Sequence, residues 1–204
     1  YNDYSNAKIE ITGAKADTWN GGNNYNTSNE DDLKDIFEEI FDWIEVRLEE
    51  INEDLDLMHA KLENTIGYAA QNALIDEIIA KNEELYRNLL AGADEYNSYA
   101  QTLLTKIPEK YREMAQDGSI SIEQFKDEAG SDIREEQLEA IREYREWVQK
   151  GADATQQAEE VLTEIQSLAK QAFDNIANDF GNQISLIDSK ISQYEAHNDL
   201  LETD

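Results

Sequence analysis

Between Phe37 and Leu62, eight apolar side chains follow one another at alternating spacings of four and three residues: Phe37, Phe41, Ile44, Leu48, Ile51, Leu55, Met58 and Leu62. On a helix such a row makes one continuous stripe, and a stripe of this length must be buried against other helices. Phe41, Leu48, Leu55 and Leu62 take the a positions of the heptad, and Phe37, Ile44, Ile51 and Met58 the d positions. Leu at a with Ile at d disfavours a parallel two-stranded coil and favours more helices around the core. The expected fold class is therefore all-α: an elongated antiparallel helical bundle or coiled coil of long helices, with a short-helix connector.

The rest of the chain divides around that stripe. Residues 1–29 read as a polar, Asn/Gly-rich linker, exemplified by Trp19-Asn20-Gly21-Gly22-Asn23-Asn24, with a stray alternating stretch from Lys8 to Thr12. Trp19-Asn20-Gly21 also matches the Trp-x-Gly tripeptide that joins two long helices in small secreted helical-hairpin proteins. Only 18 residues precede it here, so the match is read as coincidence. Residues 30–204 read as one elongated helical coiled-coil domain, with helices at about 31–64, 68–107, 133–150 and 152–201 and short pieces over 109–130.

Ser28 or Asn29 can cap the first helix, and Glu30, Asp31 and Asp32 place negative charge where its dipole favours it. Asn64-Thr65-Ile66-Gly67 is a stop and turn, and Leu74, Ile75, Ile78, Ile79, Leu85, Leu89, Tyr96, Leu103 and Ile107 mark a second long helix beyond it. Pro108 either closes that helix or opens the next. Ser121 and Gln124 form a capping box for a short helix ending near Gly130. Leu138, Ile141, Tyr144, Arg145 and Val148 mark the fourth helix, with Gly151 at its junction to the last. The final helix presents Leu162, Ile165 and Leu168, then a second packing seam of Phe173, Ile176, Phe180, Ile184, Ile187 and Ile191. Its steps of three, four, four and three from Phe173 to Ile187 locally relax a left-handed supercoil.

Charge narrows the partners. The 46 acidic and 17 basic residues give a net charge of −29, and the cations are scattered. Direct nucleic-acid binding is not expected, because such a surface repels phosphate, and no membrane contact is expected from a chain without an apolar run of roughly 20 residues. The expected partners are proteins, including further copies of the chain, or cations. The chain has no cysteine, which excludes disulfides and thiolate sites, and it opens on Tyr1, which suggests either processing or, the favoured expectation, an excerpt from a longer polypeptide.

Candidate chemistry is sparse. Asp117-Gly118-Ser119-Ile120-Ser121 resembles the second half of an EF-hand loop. Aligned on Gly118, however, the loop puts Ala115 and Gln124 at two of the four ligand places, beside Glu113 and Asp117. Asp56-Leu57-Met58-His59 offers half of a di-iron ligand pair, but Tyr194 stands where His197 would need its carboxylate. Residues 30–63 hold 14 acidic and 3 basic side chains, a solvated helix face with no sign of a pocket to separate carboxylate pKa values. No phosphate loop, nucleophile elbow or zinc spacing occurs. The expectation is a non-enzyme without catalytic residues, cofactor or metal.

At Tyr68-Ala69-Ala70-Gln71-Asn72-Ala73-Leu74-Ile75-Asp76-Glu77, at Tyr86-Arg87-Asn88-Leu89-Leu90-Ala91-Gly92-Ala93 and at Glu143-Tyr144-Arg145-Glu146-Trp147-Val148-Gln149-Lys150-Gly151-Ala152, the chain resembles helical portions of bacteriophage tail tape measure proteins. The resemblance covers residues 31–203 and rests on coiled-coil phrasing rather than on a catalytic motif. It implies an α-helical virion protein made in the bacterial cytoplasm. Several copies would lie in the tail lumen, template tail length during assembly and contact other phage tail proteins. The competing expectation is a secreted or surface coiled-coil protein-binding module of a bacterium.

Overall fold

The computed structural model describes residues 30–118, 120–130 and 133–202, with side chains described for 34–118, 120–130 and 133–196. The expected linker and its strand, Trp19 and the cap at Ser28 or Asn29 lie outside these residues. The protein is all-α: α1 (Glu30–Glu63), α2 (Tyr68–Lys106), α3 (Glu109–Gln116), α4 (Ile122–Ala129) and α5 (Glu135–Glu202). The long helices α1, α2 and α5 pack along one another, and α3 and α4 close one end.

The α1–α2 turn is built by local satisfaction of helix-end carbonyls. Asn64 Nδ2 donates to Ala60 O at 2.7 Å, and Thr65 Oγ1 donates to Lys61 O at 2.8 Å. Gly67 then takes φ 97°, a conformation costly for a residue with a Cβ, and Gln71 ties the new helix back through Nε2 to Thr65 O. At the far end of α2, Pro108 takes the N-cap position of α3, so it separates the two helices without entering either. The capping box forms as read, with Gln124 N donating to Ser121 Oγ and Ser121 N to Gln124 Oε1. Gly130 ends α4 at φ 57°.

The first seam is filled within the chain. Phe37, Phe41, Ile44, Ile51, Leu55 and Leu62 are buried, and Leu48 and Met58 half-buried, against α2 and α5. The two helices expected at 133–150 and 152–201 are instead one, and Gly151 lies buried inside it. A Cβ on Gly151 would come 2.9 Å from Asn97 Oδ1 on α2, so the glycine leaves room for the Asn97 side chain between the two helices. It costs α5 about 1 kcal/mol of helix propensity, too little to break a helix that packs on the bundle on both sides of the glycine.

The face of α5 turned to its neighbours is an eleven-residue heptad row, Ala140, Tyr144, Trp147, Gly151, Ala154, Ala158, Val161, Ile165, Leu168, Ala172 and Asn175, every member buried or half-buried. Val148 and Leu162, expected on the apolar stripe, are exposed. Small residues fill the middle of this row and draw α5 close to α2.

Two cores result. One joins α1, α2 and α5 to the short helices, and the other runs toward the α1–α2 turn. On α2, between Leu85 and Leu89 of the second core, Asn88 is 2% exposed. Its Nδ2 donates to Glu84 O at 2.7 Å, while Oδ1 accepts no hydrogen bond from the described residues. An unmade bond on a buried carbonyl costs about 1–3 kcal/mol, so Asn88→Leu is expected to raise the stability of the folded chain by about 1 kcal/mol, read as a higher urea midpoint at unchanged slope. A lower midpoint would show that the amide is satisfied in solution.

Candidate interaction surface

At the connector end, aromatic side chains from three helices meet. Phe41 of α1 stacks on Trp147 of α5 with centroids 4.2 Å apart, and Tyr96 and Tyr99 of α2 lie 5.6 and 5.3 Å from the same indole. Phe37 approaches Tyr99 at 4.8 Å, and Lys150 Nζ sits 4.1 Å over the Trp147 ring. Burial pushes the Tyr99 phenol up to about 12, and the nearby Glu143 and Glu38 add to the shift. Burial and Glu45 raise Tyr96 in the same direction. Neutral, buried phenols beside carboxylates are packing groups, not proton donors matched to neutral pH.

Besides its apolar packing, the connector is tied to α5 by one side chain that reaches four of its carbonyls. Arg145 of α5 donates from Nε to Ala115 O at 3.0 Å, from Nη2 to Met114 O at 3.1 Å and Asp117 O at 2.9 Å, and from Nη1 to Ile120 O. The guanidinium thus caps the negative end of α3 and fastens the turn after it. This is the stretch with the EF-hand-like spacing. Its carbonyls at Ala115 and Asp117 are directed at Arg145, and Gln124, at the bidentate place, is engaged in the capping box.

Ion pairs join α1 to α2. Glu84 accepts from Arg47, which also bonds Glu50 at 2.9 Å, and Lys81 lies 2.8 Å from Asp54 and 3.3 Å from Glu84. Burial alone would lower Lys81, but Asp54 and Glu84 outweigh it and hold its pKa above the ordinary value. Lys81 in turn draws the Asp54 carboxyl below its ordinary range.

His59 pairs with Glu164 of α5 at 3.4 Å, on the rim of a groove of about 600 Å³ floored by Leu48, Leu55, Leu85 and Leu89. His197 lies outside the residues with described side chains. No group of three or more His, Asp or Glu side chains is arranged to hold a metal among the described residues. No helix is long and apolar enough to cross a membrane among the described residues.

The second seam is placed differently from the first. α5 runs past Asn175, where Asn175 Nδ2 donates to Asn72 Oδ1 at 2.8 Å and Asn72 Nδ2 to Ala172 O at 3.2 Å, near the start of α2. Beyond this clasp the helix continues as an arm of about 40 Å, from residue 176 to 202. Phe173 is 72% exposed and Phe180 61%, and Ile176, Ile184, Ile187 and Ile191 are all exposed as well. The seam expected over Phe173 to Ile191 is therefore not covered by the described residues of its own chain. One reason is length: α1 and α2 have 34 and 39 residues, whereas α5 has 68.

Comparison with protein-family models, curated proteins and solved structures finds no match for this chain.

Proposed function

We propose that the chain is a structural, non-enzymatic segment of a phage tail tape measure protein, acting in tail length determination and tail assembly. The observation that carries this reading is the continuous α5, a helix of about 100 Å that packs on the bundle as far as Asn175 and then projects as an arm of about 40 Å. A ruler needs a length set by covalent geometry, and an α-helix provides one at about 1.5 Å per residue. The acidic surface suits a rod that shares a tube with DNA without binding it. Tyr68–Ala93 and Glu143–Ala152, which carry the tape measure resemblance, fall on α2 and α5, the two helices that form the rod.

The test is an in-frame deletion of residues 31–203 from a tape measure parent carrying the segment, with tail lengths measured by electron microscopy. Tails shortened by about 100 Å are expected if the segment lies in the tail as the folded bundle, and by about 260 Å if its helices open into one extended rod. Tails of unchanged length would refute a ruler role for this segment.

A further inference from the structure

The apolar surface of the arm does not continue the row by which α5 packs on the bundle. At about 100° per residue, Phe173, Ile176, Phe180, Ile184, Ile187, Ile191 and Tyr194 fall within about 80° of the α5 circumference. The row that packs on the bundle ends at Leu168, Ala172 and Asn175, and the arm stripe lies about a quarter turn round the helix from it. Phe173 is accordingly exposed while both Ala172 and Asn175 are covered. The arm is thus a separate face, aimed at a different occupant.

We infer that the occupant is the arm of a second copy of this chain. Two observations select it. The first is area: the seven side chains are between 45% and 72% exposed and offer on the order of 900 Å² per copy, comparable with the ~800 Å² per partner of a standard interface. The second is charge. Residues 30–175 carry 37 acidic and 14 basic side chains, net −23, so two bodies repel. Residues 176–196 carry only Asp179, Asp188, Glu195 and Lys190, net −2, and the intervening positions are mostly Asn, Gln, Ser and Ala. A strongly basic partner would find its counter-charge on the body and little on the arm. An arm of the same composition meets the stripe with a matching stripe and almost no repulsion.

The inference does not rest on the tail reading. Its failure would leave the deletion experiment unaffected.

Sedimentation equilibrium of the 204-residue chain would test it, run across concentration at about 0.05 M and 0.5 M salt. The expected result is association above the 23.3 kDa monomer, tightened by salt because screening relieves repulsion between the bodies. Ile187→Asp is expected to weaken association on the order of 100-fold, since it puts a charge in the middle of the contact. Ser189→Asp, with the same added charge on the opposite side of the helix, is expected to leave association near that of the parent chain. Circular dichroism of both variants controls for loss of helix. A monomer at every concentration and salt would overturn the inference and leave a different protein as occupant. Equal association of the Ile187→Asp and parent chains would also overturn it, by placing the contact elsewhere.

Discussion

Phe41→Ala is expected to destabilise the folded chain by roughly 3–5 kcal/mol, a fall of roughly 10 °C in melting temperature. Phe41 is 4% exposed and touches aromatic rings from every long helix: Trp147 of α5, Tyr96 and Tyr99 of α2, and Phe37 one turn earlier on α1. Truncation removes the ring's burial and leaves a cavity that these large side chains cannot collapse into without abandoning their own contacts. Val46→Ala is the control on the same helix. Val46 is 54% exposed, and its truncation is expected to change stability by no more than about 0.5 kcal/mol. Thermal unfolding followed by circular dichroism distinguishes the two. Equal, small losses would mean that α1 does not pack on α2 and α5 through this cluster.

The second large effect is expected at Arg145. Arg145→Met keeps the length and the apolar stem but removes every donor to Met114, Ala115, Asp117 and Ile120. Met114 and Ala115 lie in the last turn of α3, where helix geometry supplies no carbonyl partner, Asp117 and Ile120 lie in the turn that follows, and the variant is expected to lose roughly 3 kcal/mol. The loss should be local. Amide hydrogen exchange is expected to speed up in α3 and α4 and to change little in α1 and in the middle of α2. Arg145→Lys is expected to restore little, because one ammonium cannot fan out to four carbonyls as a planar guanidinium does. Exchange speeding up evenly through all five helices would show that the connector is not a separate unit but part of one cooperative core.

These two sites also differ in how far they can be read without coordinates. Phe41 belongs to a seam of large apolar residues at strict heptad spacing, and bulk plus period make such a row stand out. Arg145 is picked out by its place on the stripe of the fourth helix, but its partners are not. Its acceptors are backbone carbonyls, which every residue carries, so nothing in the side-chain pattern around Met114 to Ile120 marks them as its partners.

The α5 face that meets the bundle was hidden for a related reason. Ala140, Gly151, Ala154 and Ala158 are small and weakly hydrophobic, so Val148 and Leu162 looked the better stripe, although both are exposed. What sets that face is close approach to α2, visible at Gly151 against Asn97.

By itself the sequence determined that the chain is helical, where α1 and α2 end, that a capping box opens α4, and that two rows of large apolar side chains need cover. These follow from periodicity, capping chemistry and glycine or proline punctuation, all of which act within a few residues. Only the tertiary structure decided what covers each row. The α1 row turns inward because the chain folds back at Gly67 and brings α2 and α5 against it. The row from Phe173 to Ile191 stays outside because α5 outruns its neighbours and its apolar face has turned away from them. The second row differs from the first only by an extra step of four from Phe180 to Ile184, and in both the spacing records that a face must be buried and carries no information about which helix will bury it.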